Sequence, residues 1–224
     1  MRSDSPEVQK LSGIIPEDIF VGISLILRQG DRFLYGVRPM QRTGDRQILE
    51  LTGIGGRLER TDASLSEGAV REAREETGCR VRLIPCFQSL VVRNQNDIQP
   101  VALMDSERPA AIVFRNYRTP PHQPWHPDNQ GSACLIVFLA EIEGQPWPQM
   151  ELAFLIWLKA EHILEAARTD VPLARLVSTG ANLVVGKLQL PAGECWARLT
   201  DSQEALALAL GDDAPLFFQS VGTS

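Results

Sequence analysis

Arg71-Glu72-Ala73-Arg74-Glu75-Glu76-Thr77-Gly78 is the stretch on which both the fold and the chemistry turn. Glu72, Glu75 and Glu76 stand at i, i+3 and i+4, so on a 3.6-residue helix their carboxylates share one face within a single turn. Upstream, Ser64 or Ser66 is placed to cap such a helix, and Ala69, Val70, Ala73 and Thr77 supply its less polar positions. Gly78 suits the left-handed conformation in which helices end. Like charges at i and i+4 weaken an isolated helix by roughly 0.2–0.5 kcal/mol. A hard divalent cation turns that repulsion into binding, because Mg²⁺ takes carboxylate oxygens and fills its other positions with water and phosphate oxygens. The same spacing also fits a plain exposed helix laced by pairs of Glu67 with Arg71 and Arg71 with Glu75. The neighbourhood separates the two readings: Thr52-Gly53-Ile54-Gly55-Gly56 precedes the helix by a short loop and can bring bare backbone against the acidic face.

Working outward, residues 18–27 and 32–37 are β-rich runs around the turn cluster Arg28-Gln29-Gly30-Asp31, which predicts a hairpin. Residues 47–51 form a short apolar run leading into the glycine-dense connection. Beyond the helix, residues 80–92, 110–117, 133–142 and 152–158 read as strands bounded by Pro, Gly or Asn clusters. Residues 159–168 are helical by pattern. Two weaker helices are expected over 172–178 and 202–210, joined by a strand pair around 183–199. Pro120, Pro121, Pro124 and Pro127 make 119–131 a loop. Strands before, between and after helices predict an α/β fold, a mixed sheet sandwiched by helices. The expected organisation is an arm over 1–17, a domain over 18–168 and an extension over 169–224, packed on or beside that domain. Within the domain, 94–131 is a longer insert than a minimal fold needs.

The chain has 224 residues, 44% hydrophobic and 22% charged, which excludes wholesale disorder and allows one sizeable core. No apolar run approaches the roughly 20 residues that cross a bilayer, and the first ten residues lack a secretory h-region, so a cytoplasmic protein with no membrane partner is the expectation. Cys79, Cys86, Cys134 and Cys195 are scattered without a C-x-x-C pair and are expected reduced. The net charge of −6 argues against general nucleic-acid binding. Between positions 28 and 60, however, seven arginines face four acids, a local positive excess suited to an anionic ligand.

The glycine loop and the acidic helix together resemble the Nudix hydrolases. Their box reads Gly, five residues, Glu, seven residues, then Arg-Glu-apolar-x-Glu-Glu-x-Gly-apolar, and residues 71–79 match its second half at every specified position. In the first half, Gly56 and Asp62 stand one residue further back than the pattern places its Gly and Glu, with Asp replacing Glu. The late strand Glu151-Leu152-Ala153-Phe154-Leu155-Ile156-Trp157-Leu158 and the helical run after it, 159–168, extend the resemblance over 18–168. It implies a Nudix-like α/β/α sandwich and hydrolysis of the pyrophosphate linkage of a nucleoside diphosphate derivative by water attack at phosphorus. It further implies one or more Mg²⁺ or Mn²⁺ ions held by Glu72, Glu75, Glu76 and the Gly56 carbonyl. Arg71 would hold a helix glutamate in place, Glu72 is the first candidate base, and Arg38, Arg46 and Arg57 are candidates for phosphate contacts. Related folds often dimerise, so a homodimer is open.

Other motifs point elsewhere or nowhere. His122 and His126 flank Trp125 in the Pro-rich loop, where the prolines exclude the helix that a His-x-x-x-His metal pair needs. The glycine loop is neither a dinucleotide fingerprint nor a P-loop, and no Gly-x-Ser-x-Gly elbow is present. The alternative from a different class is a non-catalytic nucleotide-sensing or regulatory module, favoured by the altered first half of the box and the long C-terminal extension. A complete glutamate triad argues against it.

Overall fold

The computed structural model describes residues 7–17, 19–39, 46–94, 96–118, 130–150, 152–186, 193–211 and 217. Strand β1 (Glu7–Gln9) and the short helix α1 (Leu11–Ile14) come first, then the hairpin of β2 (Phe20–Gln29) and β3 (Arg32–Pro39). Next are β4 (Gln47–Thr52), β5 (Ile54–Arg57) and the helix α2 (Leu65–Thr77). Strands β6 (Arg80–Ile84), β7 (Ser89–Asn94), β8 (Asp97–Leu103), β9 (Ala111–Arg118) and β10 (Gln130–Glu143) follow. After them run β11 (Phe154–Leu158), α3 (Ala160–Arg168), β12 (Val171–Pro172), α4 (Leu173–Ser178), β13 (Asn182–Val185), β14 (Cys195–Leu199) and α5 (Asp201–Leu210).

All the strands belong to one mixed sheet, with the path β1-β8-β7-β9-β10-β2-β3-β4-β14-β12 and with β5, β6, β11 and β13 branching from it. Its central pair, β2 with β10, is parallel and runs in register from Ala133 opposite Phe20 to Glu141 opposite Arg28. Both faces of this sheet are covered, which is why its strands read as continuous apolar runs rather than as alternating ones. In β10, Leu135, Val137 and Leu139 join Ile163 and Ala166 of α3, Leu173 and Leu176 of α4 and Leu206 and Ala207 of α5 in one core. The alternate residues Cys134, Ile136, Phe138 and Ala140 join Ala69 and Ala73 of α2 in a second core on the other face. The expected α/β/α sandwich with a mixed sheet is therefore present. All four cysteines are free.

Several local expectations are corrected by the structure. Residues 80–92 are two strands rather than one, because 85–88, opening with Pro85, interrupt the ladder: β6 pairs with β10, whereas β7 pairs with β8 and β9. The glycine connection is itself partly a strand, since β5 pairs antiparallel with β2. The two C-terminal strands do not pair with each other. β13 lies beside β11 and β14 beside β4, so the described part of 169–224 packs on the domain as added strands and as α5. Within the N-terminal arm, β1 pairs with β8, and Leu11 and Ile14 are buried. β8 itself falls in the long insert, over a stretch ahead of the expected 110–117 strand where none is expected from the sequence. The Pro-rich stretch 119–129, with His122, Trp125 and His126, lies outside the described residues.

Candidate active site

Helix α2 starts and stops as its sequence dictates. Ser64 Oγ accepts the Glu67 N–H at 3.0 Å, and Gly78 turns the chain at φ +69° while its own N–H reaches the Arg74 carbonyl at 2.9 Å. Of the two candidate caps, Ser64 does the capping. Ser66 instead binds Glu107, which arrives from the loop between β8 and β9: Ser66 Oγ donates to its carboxylate and the Ser66 N–H lies 3.4 Å from Oε1. An acid there also complements the positive end of the helix dipole. At the other end, Trp147 N–H and Gln149 N–H satisfy the Thr77 and Glu76 carbonyls at 2.9 and 3.0 Å. The helix is thus fixed at both ends by residues far away in sequence.

The buried side of α2 lies against β5. Gly55 donates its N–H to Glu76 Oε2 at 2.9 Å. Its φ of +150° is one that a side chain rarely adopts, and a Cβ there would collide with the Ile23 carbonyl. Gly56 is required for a different reason: a Cβ would sit 2.7 Å from both carboxylate oxygens of Glu72. The missing side chains therefore let two glutamates reach the backbone of β5. Glu76 also meets Arg38 of β3, Nη2 to Oε1 at 3.5 Å.

Arg71 organises the remaining acids. Nε and Nη2 grip Asp62 in a two-pronged pair at 2.9 and 3.0 Å, Nη1 reaches Glu72 and Glu75 at 2.9 Å each, and Nη2 also donates to the Arg57 carbonyl at 2.9 Å. The planar guanidinium matches a carboxylate edge in a way that no ammonium does. Glu59 Oε1 lies 3.9 Å away at the rim. The Asp62 side chain is only 3% exposed, and the Arg71 guanidinium with the Glu59 N–H holds its carboxyl below the usual carboxylate range. Arg71 in turn is pushed up by Asp62. Asp62, the residue that departs from the box, is thus the anchor of Arg71.

Among the described residues, five carboxylates, those of Glu59, Asp62, Glu72, Glu75 and Glu76, are linked to the guanidiniums of Arg71 and Arg38. Exposure is graded across this cluster: Glu76 and Glu72 are buried at 4% and 11% side-chain exposure, whereas Glu75 stands at 43%. Among the described residues, no three His, Cys, Asp or Glu side chains already converge on one metal-sized point. The donor set is nevertheless all oxygen, each carboxylate oxygen can accept more than one partner, and the bonds to Arg71, Arg38 and Gly55 orient these groups. Mg²⁺ needs only one or two protein carboxylates besides water and phosphate, which this set supplies.

The other sequence-selected arginines are dispersed. Arg38 joins the acidic cluster, but Arg46 stacks over the Trp196 ring at 4.4 Å from its centroid, and Arg57 lies over Phe20 at 5.8 Å with its backbone carbonyl serving Arg71. Glu107, Trp147, Gln149 and Trp196 carry no signal in the sequence that would single them out. Each comes from a separate loop or strand, and a single chain has no periodicity that would join them to α2.

A family model described as NUDIX domain matches residues 19–178. This chain belongs to the Nudix family, whose members hydrolyse the diphosphate linkage of nucleotide derivatives and are generally dependent on divalent metal. No curated protein matches it. Among solved structures, it is similar to a possible asymmetric diadenosine tetraphosphate hydrolase from Jonesia denitrificans at 13% identity, covering 87% of this chain and 94% of that one with a TM-score of 0.47. It is also similar to a UDP-X diphosphatase at 12% identity, covering 92% of this chain and 64% of that one with a TM-score of 0.43. A NUDIX hydrolase from Nitrosomonas europaea matches at 15% identity over 65% of this chain and 76% of that one, with a TM-score of 0.41. Among the described residues, no helix is long and apolar enough to cross a membrane.

Proposed function

We propose that this chain is a Mg²⁺-dependent hydrolase that cleaves the pyrophosphate linkage of a nucleoside diphosphate derivative by attack of water at phosphorus. The observation that carries the reading is the gathering of the Glu72, Glu75 and Glu76 carboxylates, ordered by Arg71, on the face of α2 that meets the bare backbone of Gly55 and Gly56. Glu72, Glu75, Glu76 and the Gly56 carbonyl would hold Mg²⁺ or Mn²⁺. When bound, such an ion neutralises diphosphate charge and lowers the pKa of an attacking water.

The chain's own residues supply the rest. Arg71 fixes the directions of Glu72 and Glu75, so the ordering cost of the carboxylates is met before substrate arrives. Glu72 is our first candidate to accept the proton of the water, being nearly buried and directed at β5. Arg38 neutralises part of the Glu76 charge and would meet a phosphate oxygen there. Arg46 and Arg57 remain candidates for phosphate contacts only if they leave their aromatic partners.

The test is a panel of nucleoside triphosphates, sugar nucleotides, dinucleotide cofactors and coenzyme A derivatives, with Mg²⁺ and with excess chelator, reading the released phosphorylated products. Turnover of at least one member is expected, lost in chelator and reduced about 10²- to 10⁴-fold in Glu72→Gln. Equal activity in chelator contradicts the reading. Substrate binding with no turnover under any condition would favour the sensing module instead.

A further inference from the structure

Trp196 lies on β14, beyond residue 178 where the family match ends. It stands opposite Ile48 on β4, and Glu50, two residues along β4, stands opposite Arg38 on β3. Residues two apart in a strand share a face, and partners in register do too, so Trp196, Ile48, Glu50 and Arg38 line one face of the sheet. That is the face on which Arg38 meets Glu76 of α2. The alternate residues Leu49, Leu51, Ala197 and Leu199 are fully buried in the core on the opposite face. By contrast Ile48, Glu50 and Trp196 are only half-buried, because α2 packs on β2, β5, β6 and β10.

Two strand spacings sideways and two residues along place Trp196 about 12 Å from Arg38. A ribose and a phosphate bridge such a distance. The indole face already takes a flat group, since the Arg46 guanidinium lies 4.4 Å from its centroid.

We propose that Trp196 is the platform on which the nucleobase of the substrate stacks, taking the place of the Arg46 guanidinium while the diphosphate lies at Arg38 and α2. The proposal rests on the reading of the site as one for nucleoside diphosphate derivatives, and it assigns recognition of the base to the C-terminal segment.

The test is calorimetric binding, with Mg²⁺, of ADP, GDP, CDP and UDP and of inorganic pyrophosphate as a probe without a ring, to the full chain and to Trp196→Ala and Trp196→Phe. The tightest nucleoside diphosphate should weaken about 5- to 150-fold in Trp196→Ala, with pyrophosphate affinity changed less than about twofold and most of the loss restored in Trp196→Phe. Unchanged pyrophosphate binding also reports that the variant is folded. Equal loss for both kinds of probe, loss for neither, or nucleoside diphosphates binding the wild type no better than pyrophosphate overturns the proposal. Turnover is scored separately: selective loss of binding without any hydrolysis by the wild type keeps the platform and sinks the hydrolase reading, and the converse result does the reverse.

Discussion

The two faces of the sheet solve opposite problems. Beneath α3, α4 and α5 the core is apolar, and it holds a neutral polar chain in which Gln203 Nε2 donates to Ser24 Oγ at 3.2 Å and Tyr35 Oη to Gln203 Oε1 at 3.4 Å, with the Arg115–Glu204 ion pair half-exposed at its edge. Burial there pushes the Tyr35 hydroxyl's pKa upward, keeping it neutral. Beneath α2, carboxylates crowd together and depend on a guanidinium, a glycine strand and, in our reading, a cation. The first face stores stability in packing. The second accepts electrostatic tension, which is what a site for a charged ligand requires.

The sharpest way to break this contrast is to remove Arg71. Arg71→Ala releases Asp62, Glu72 and Glu75 together, and turnover of the substrate found in the panel should fall by at least about 10²-fold, the order expected when catalytic groups lose their placement. Arg71→Lys should rescue little, because the two-pronged grip is lost. Steady-state kinetics on both variants, with circular dichroism as a check on folding, decides this. A variant with wild-type kcat would show that the acids need no anchor.

On the other face, Leu206→Ala should cost about 2–5 kcal/mol of stability in urea denaturation while leaving kcat nearly unchanged below the unfolding midpoint. A large kcat effect at full folding would mean the two faces are coupled, not separate.

Acid titration sharpens the comparison further. Asp62 has its pKa lowered in the folded chain, so its contribution to stability is complete above its unfolded value, about 3.9, and is lost as pH falls through the lower folded value. Asp62→Asn should flatten that acid limb of a plot of urea midpoint against pH. Retention of the full wild-type slope would assign the acid sensitivity elsewhere. The smallest effect expected is from Ser64→Ala, about 0.5–2 kcal/mol from the lost cap, read by thermal melting.

Much of the α2 side was legible because it is local. The cap at Ser64, the stop at Gly78 and the acidic stripe all lie within fifteen residues whose spacing maps directly onto helix geometry. The one-residue shift to Asp62 was also visible, and the fork of Arg71 shows that it serves as an anchor. What the residues could not display is long-range pairing. Whether β13 and β14 pair with each other or with β11 and β4 depends on register across the sheet, which short apolar runs do not encode. For the same reason nothing in the sequence brings Trp196 to the α2 face, and Arg46, chosen for its charge, proved to lie on that indole.

The central claim is that the acidic face of α2 gathers a divalent ion, and Mn²⁺ titration followed by electron paramagnetic resonance tests it most directly. Wild-type protein should bind Mn²⁺, with binding sharply weakened in Glu72→Gln and in Glu76→Gln although both variants remain folded. Mn²⁺ affinity equal in all three proteins would contradict the account.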